Sequence, residues 1–98
     1  MQTSLNKEND KLTVTVSGRV DTATAPELEK AIFDNIDGAS ELVLDFKDMP
    51  YTSSAGLRVL LKAQKAMLKQ GKMKVINVSS DVMEVFEMTG FSEILTIE

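Results

Sequence analysis

The spacing of hydrophobic residues changes repeatedly along this chain, and this change constrains the fold more than any other feature. From Lys11 to Val20, apolar and polar side chains alternate, which is typical of a half-buried strand. In other stretches the apolar residues recur three and four positions apart, which indicates amphipathic helices. Strands that alternate with helices in this way predict βαβ units and a largely parallel sheet.

Eight elements are predicted, in the order β β α β α β α β. The predicted strands cover residues 2–6, 11–20, 41–46, 72–78 and 94–97. The predicted helices start near caps at Thr24, at Ser53 or Ser54, and within residues 79–81, and they end at the glycines Gly38, Gly71 and Gly90. A polar turn at residues 8–10 predicts a hairpin between the first two strands. We therefore predict a single α/β domain over residues 1–98, with helices packed against a mostly parallel sheet that has an antiparallel N-terminal edge strand.

Composition excludes several classes of function. The chain has 98 residues and contains neither cysteine nor histidine, which excludes disulfides and makes most hydrolase triads and zinc sites impossible. A formal net charge of −4 and an aromatic content of 5% argue against direct nucleic-acid binding. No apolar run is long enough to span a membrane, and the first residues lack a signal-peptide pattern. A cytoplasmic protein without cofactor or metal is expected.

The segment 45–57 is the best candidate for a functional site. It joins a predicted strand to a predicted helix, and sites in open α/β sheets gather at the carboxyl ends of strands. The unpaired N–H groups at a helix start favour negative charge, so a hydroxyl there is well placed to carry or contact a phosphate. Ser53 and Ser54 have two interpretations, because serine is also a preferred N-cap residue.

Three motifs, in order, resemble those of the STAS domain family, the fold of bacterial anti-sigma factor antagonists. Residues 51–61, which read Tyr-Thr-Ser-Ser-Ala-Gly-Leu-Arg-Val-Leu-Leu, resemble the family signature after a strand. Residues 17–28 resemble its first motif, a glycine followed by an aspartate and a helix. Residues 71–78 and 85–91 resemble its C-terminal half. The resemblance covers nearly the whole chain.

The resemblance implies a partner switch controlled by phosphorylation. In this family, the unphosphorylated protein binds an anti-sigma factor that is also a serine kinase, and so releases a sigma factor. Phosphorylation of a loop serine breaks the complex, and a serine phosphatase resets it. Ser54 matches that serine, with Ser53 and Thr52 as fallback acceptors. Asp21 matches the acidic residue of the first motif, and its simpler role is that of a cap or turn residue.

Two departures from the family pattern keep other functions open. Ser53 stands where many members have aspartate, and Ala55 stands where serine or threonine is frequent. These changes favour, as an alternative, a STAS module that is never phosphorylated and acts as a subunit of another complex, such as a transporter. An enzyme that uses Asp45 and Asp48 is a third hypothesis, disfavoured because histidine and cysteine are absent.

The charges are unevenly distributed. Residues 49–80 contain no aspartate or glutamate, and Arg58, Lys62, Lys65 and Lys69 recur there at helical spacing. This basic stripe is either a solvated helix face or a docking face for an acidic partner. The residues predicted to contact the partner are Asp21, Thr22, Tyr51, Ser53, Gly56, Arg58 and Lys62.

Overall fold

Four strands form one mixed sheet in the computed structural model, which describes residues 1–98. The strands are β1 (Gln2–Glu8), β2 (Lys11–Ser17), β3 (Glu41–Asp48) and β4 (Lys72–Ile76), in the spatial order β1-β2-β3-β4. The helices are α1 (Ala25–Phe33), α2 (Ser54–Leu68) and α3 (Ser80–Thr89), followed by a 3-10 turn at Phe91–Glu93. The β1–β2 pair is antiparallel, and the two other pairs are parallel. The predicted fold class and edge strand are confirmed.

The helices pack against one face of the sheet. Both crossovers, β2–α1–β3 and β3–α2–β4, advance by one strand in the same direction, and right-handed crossovers place their helices on the same side. The alternating valines and leucine of β2 face this side and are fully buried in the hydrophobic core, whereas Thr13 and Thr15 face away. Val43 is buried on the opposite face, outside the main core. None of the helices is long and apolar enough to cross a bilayer.

Gly71 is required for a close backbone approach. A Cβ built on Gly71 would lie 1.9 Å from the carbonyl oxygen of Ser40. The N–H of Lys72 donates to that same oxygen over 3.0 Å, so the contact aligns the start of β4 beside the start of β3. The sequence predicted Gly71 only as the end of a helix, but α2 already ends at Leu68.

The other predicted helix ends are partly wrong. The α1 helix ends at Phe33, well before the predicted end at Gly38, and Asp34 is its C-cap. Within the predicted cap segment 79–81, Ser79 is the residue that caps α3, since its hydroxyl accepts from the N–H of Val82 over 3.2 Å. The predicted end of α3 at Gly90 is confirmed, and the φ of Gly90 is 82°.

The predicted strand 94–97 does not form. After Gly90 the chain makes the 3-10 turn, which directs Leu95 into the core. Only Ile97 forms a parallel bridge, with Val75 of β4. The N–H of Val75 donates to Thr96, and the N–H of Glu98 donates to Val75, each over 2.9 Å. The C-terminal residues therefore extend the sheet by a single bridge beyond β4.

Candidate functional site

Two loops meet at the carboxyl edge of the sheet. The loop 18–24 joins β2 to α1, and the loop 49–53 joins β3 to α2. The N–H of Val20 donates to Tyr51 over 3.0 Å, and the N–H of Ser53 donates to Val20 over 2.9 Å. Val20 and Thr52 thereby form a short parallel bridge. The two loops are held as one unit, as expected for a site at the ends of adjacent parallel strands.

The two serines at the start of α2 have different structural roles. Ser53 is the N-cap, and its hydroxyl accepts from the N–H of Gly56 over a long 3.4 Å. Ser54 is the first helical residue, is exposed, and its hydroxyl makes no hydrogen bond. The structure thus separates the two interpretations of this pair, because Ser53 caps the helix and Ser54 leaves its hydroxyl open to solvent.

Thr52 and Gly56 lie beneath this surface. Thr52 is only 4% exposed, which makes its hydroxyl inaccessible in the folded protein and argues against it as a fallback acceptor. Gly56 is also buried, and a Cβ there would lie 2.4 Å from the Thr52 hydroxyl and 2.9 Å from Val20. Gly56, predicted to contact a partner, is buried here, where it allows the first turn of α2 to pack on the bridged loops.

Asp21 organises the loop that precedes α1. Its carboxylate accepts from the N–H groups of Ala23 and Thr24, each over 3.0 Å. Thr24 occupies the predicted N-cap position of α1, but its hydroxyl accepts from the N–H of Asp21 over 2.9 Å and makes no cap hydrogen bond to its own helix. These hydrogen bonds, chiefly from the Thr24 backbone and side chain, lower the pKa of the Asp21 carboxyl below its ordinary value.

The charge on Asp21 predicts a specific pH dependence. A lowered folded-state pKa means that the ionised carboxylate stabilises the fold above the unfolded pKa of 3.8, and that this stabilisation is lost as pH falls through the folded value. We expect Asp21→Asn to be less stable than the native chain at neutral pH, with a difference that shrinks below pH 3.8. Urea titrations of both proteins at several pH values measure this difference in the free energy of unfolding. A difference that stays constant down to the lowest pH would contradict the prediction.

On the protein surface, Arg19 of the loop 18–24 contacts Tyr51 of the loop 49–53. Its guanidinium carbon lies 4.4 Å above the ring centre of Tyr51, which is a favourable cation–π distance. Tyr51 remains 40% exposed, so this pair forms surface beside the start of α2. Tyr51 was predicted to contact a partner, whereas Arg19 was not singled out because nothing in its spacing indicates a tyrosine neighbour.

A shallow groove separates the first turns of α1 and α2. It is lined by Thr22, Ala25, Pro26, Glu29, Ala55, Arg58, Val59 and Lys62. The groove brings together three of the predicted contact residues, Thr22, Arg58 and Lys62. Glu29 was missed, although its spacing from Ala25 and Pro26 along one face of α1 could have indicated it.

The basic stripe on α2 is exposed along its whole length. Arg58, Lys62, Lys65 and Lys69 all face solvent. Lys62 is ion-paired with Glu29 of α1, with 3.0 Å between Nζ and Oε2, and its ammonium lies 5.7 Å from the ring centre of Phe33. Arg58, Lys65 and Lys69 have no ion pair.

The structure brings no three carboxylates together in a group that could hold a metal ion.

Comparisons with known proteins identify the family. Residues 2–98 match the STAS domain. The anti-sigma-B factor antagonist of Bacillus subtilis is 32% identical, over 92% of this chain and 83% of that protein. BtrV of Bordetella bronchiseptica, provisionally named an anti-sigma factor antagonist, is 34% identical over 99% of this chain and 85% of its own length. The crystal structure of an anti-sigma factor antagonist from Mycobacterium paratuberculosis superposes with a TM-score of 0.89 at 26% identity, covering 98% of this chain and 83% of that one. The chain belongs to the STAS domain family.

Proposed function

We propose that this protein is an anti-sigma factor antagonist switched by phosphorylation of Ser54. In its unphosphorylated form it binds an anti-sigma factor that is also a serine kinase, and thereby releases a sigma factor. The kinase phosphorylates Ser54 and ends the complex, and a serine phosphatase restores binding. The protein acts as a binding regulator and not as an enzyme.

The accessibility of Ser54 is the observation that carries this proposal. Of the three neighbouring hydroxyls, Thr52 is buried and Ser53 accepts from the helix backbone, whereas Ser54 is exposed and makes no hydrogen bond. A kinase can reach this hydroxyl without unfolding the helix. Tyr51 and the groove residue Arg58 are both exposed and lie within four residues of Ser54 along the chain, so a partner that contacts both would cover the acceptor.

The charge of a phosphate explains why binding would end while the fold persists. A phosphoserine adds roughly −1.5 to −2 charges. At the start of α2 the unpaired N–H groups favour this charge by about 0.3–1 kcal/mol. Arg58 lies four residues along the same helix face, within reach of a phosphate on Ser54. A partner must instead desolvate the phosphate, and it loses Arg58 as a contact when the guanidinium pairs with the phosphate.

The proposal can be tested on protein purified from its own cells. Intact mass and peptide mapping should reveal a species heavier by one phosphate, located on Ser54. Binding to the anti-sigma factor encoded in the same genome should be lost on incubation with ATP. Protein that carries no phosphate in growth and stress, and whose binding is indifferent to ATP, would favour the constitutive module that serves as a subunit of another complex.

The basic stripe predicts a salt-dependent association rate. We expect Arg58→Ala to slow association with an acidic anti-sigma factor surface about threefold at low salt, and to have little effect at high salt, because charges at an interface rim mainly steer the encounter. Stopped-flow mixing at several ionic strengths measures the effect. Lys69→Ala is the matched control, since it removes the same charge at the far end of α2. If Lys69→Ala slows association as much as Arg58→Ala, the docking face is not centred on Ser54.

A further inference from the structure

The outer edge of β1 is open. β1 pairs with β2 on one side and with no strand on the other. All seven of its residues, Gln2–Glu8, are exposed. An edge strand of this length offers a row of unpaired N–H and C=O groups, which is a template for pairing with another strand.

The hairpin loop determines which backbone groups point outward. Only Asn9 and Asp10 separate Glu8 from its partner Lys11. In a hairpin with a two-residue loop, the two residues that flank the loop, here Glu8 and Lys11, form both backbone hydrogen bonds with each other. Along an antiparallel ladder, such doubly bonded pairs recur at every second residue. The even-numbered residues of β1 therefore bond to β2. The N–H and C=O groups of Thr3, Leu5 and Lys7 point away from the sheet.

This edge has little of the usual protection against pairing. It contains no proline, and its register with β2 runs without a bulge from Gln2 to Glu8. Its only charged residues are Lys7 and Glu8, both at one end. Natural edge strands are usually blocked by one of these features. The middle of the strand instead carries Leu5, which is 44% exposed.

We propose that β1 pairs with β1 of a second copy of this chain, antiparallel and about a two-fold axis at Leu5. In this register Leu5 faces Leu5, and Thr3 of each copy faces Lys7 of the other. The outward-pointing groups of Thr3, Leu5 and Lys7 then all find partners, because a two-fold axis at residue 5 exchanges residues 3 and 7. The two four-stranded sheets continue as one. This inference rests on the edge alone and does not depend on the proposed function.

The side chains of β1 favour a second copy over another occupant. On the leucine face, the symmetric register places the two Lys7 side chains four residue rows apart, about 14 Å, so they do not repel strongly. On the other face, Ser4 meets Asn6 and Gln2 meets Glu8, which are hydrogen-bonding pairs without like charges. The strand is thus complementary to itself, as an isologous interface requires.

The size of the contact predicts a weak dimer. One seven-residue edge buries less than the roughly 800 Å² per partner that stable complexes need. Dimerisation should therefore appear only at high protein concentration. Sedimentation velocity from about 20 µM to about 1 mM should show a reversible shift from monomer towards dimer.

Amide exchange locates the contact residue by residue. At the high concentration, the amides of Thr3, Leu5 and Lys7 should exchange about threefold more slowly than at the low one, because a weak dimer still leaves part of the chain monomeric. The amides of Ser4 and Asn6 bond to β2 in the monomer, so their rates should change much less. A chain that stays monomeric, or protection confined to a different surface, would overturn the proposal.

Two substitutions at Leu5 separate edge pairing from other association. Leu5→Pro removes an outward N–H and leaves the ladder to β2 intact, since proline is tolerated on an open edge. This variant should remain monomeric at every concentration with an unchanged far-UV spectrum. Leu5→Val keeps the N–H and an apolar side chain and should still dimerise. If folded Leu5→Pro dimerises like the native chain, the β1 edge is not the interface; if it does not fold, the exchange rates of the native chain decide.

Discussion

Ser54→Asp should weaken binding to the anti-sigma factor at least about 100-fold, equivalent to about 2.8 kcal/mol, with little change in melting temperature. The aspartate places a permanent negative charge where the proposed complex must exclude water. Within the free protein the same charge sits at the start of α2, where the helix N–H groups accommodate it. Isothermal titration calorimetry and thermal unfolding of the same preparation measure the two effects.

Neutral substitutions at the same position provide the control. Ser54→Ala removes the acceptor without adding charge, so it should bind as well as the native chain and should no longer lose binding on incubation with kinase and ATP. Ser54→Asn matches aspartate in size without its charge and should bind far better than Ser54→Asp. If asparagine and aspartate weaken binding equally, bulk and not charge disrupts the interface. If Ser54→Asp melts many degrees lower, loss of fold would explain the lost binding.

Gly71→Ala should lower the free energy of unfolding by about 3 kcal/mol or more. A Cβ at this position would lie 1.9 Å from a backbone oxygen and 2.6 Å from a backbone carbon of Ser40. Backbone atoms cannot rotate aside as a side chain can, so the start of β4 must move away from β3. Urea denaturation measures the loss, and a fall in melting temperature of at least about 12 °C would accompany it.

Gly38→Ala is the matched control for the conformational freedom of glycine. Gly38 has a φ of +83°, but a methyl group added there would meet no atom within 4 Å, so alanine is strained without a clash. We expect a loss of about 1 kcal/mol, from left-handed strain partly offset by a less flexible unfolded chain. If Gly71→Ala lowers the free energy of unfolding no more than Gly38→Ala does, the close approach to Ser40 contributes little to stability.

The periodicity of the chain was sufficient to predict its architecture. Alternation in β2 and the apolar stripes of the helices depend on local spacing, and local spacing decides which face is buried. The C-terminal strand was wrong because Leu95 and Ile97 fit a strand pattern, although Gly90 turns the chain and only Ile97 reaches β4.

The site was predicted less completely, for two physical reasons. The sequence indicated that a serine caps α2, but only the backbone angles distinguish Ser53 as the cap from Ser54 as the free hydroxyl. The packing of Gly56 on Val20 and the stacking of Arg19 on Tyr51 are contacts between residues distant in sequence. No local pattern encodes such contacts, because they depend on how the two loops bridge at Val20.

The strand order has a consequence for how the chain folds during synthesis. Every ladder in the sheet joins strands that are consecutive in the sequence. A nascent chain leaving the ribosome can therefore complete each ladder before the next strand emerges, without an unpaired strand waiting for a distant partner. The last contact to form is the single bridge from Ile97 to Val75, beside the ion pairs of Lys74 with Glu41 and Glu98. Vectorial folding of this kind limits the time during which the growing sheet exposes its apolar face to other nascent chains.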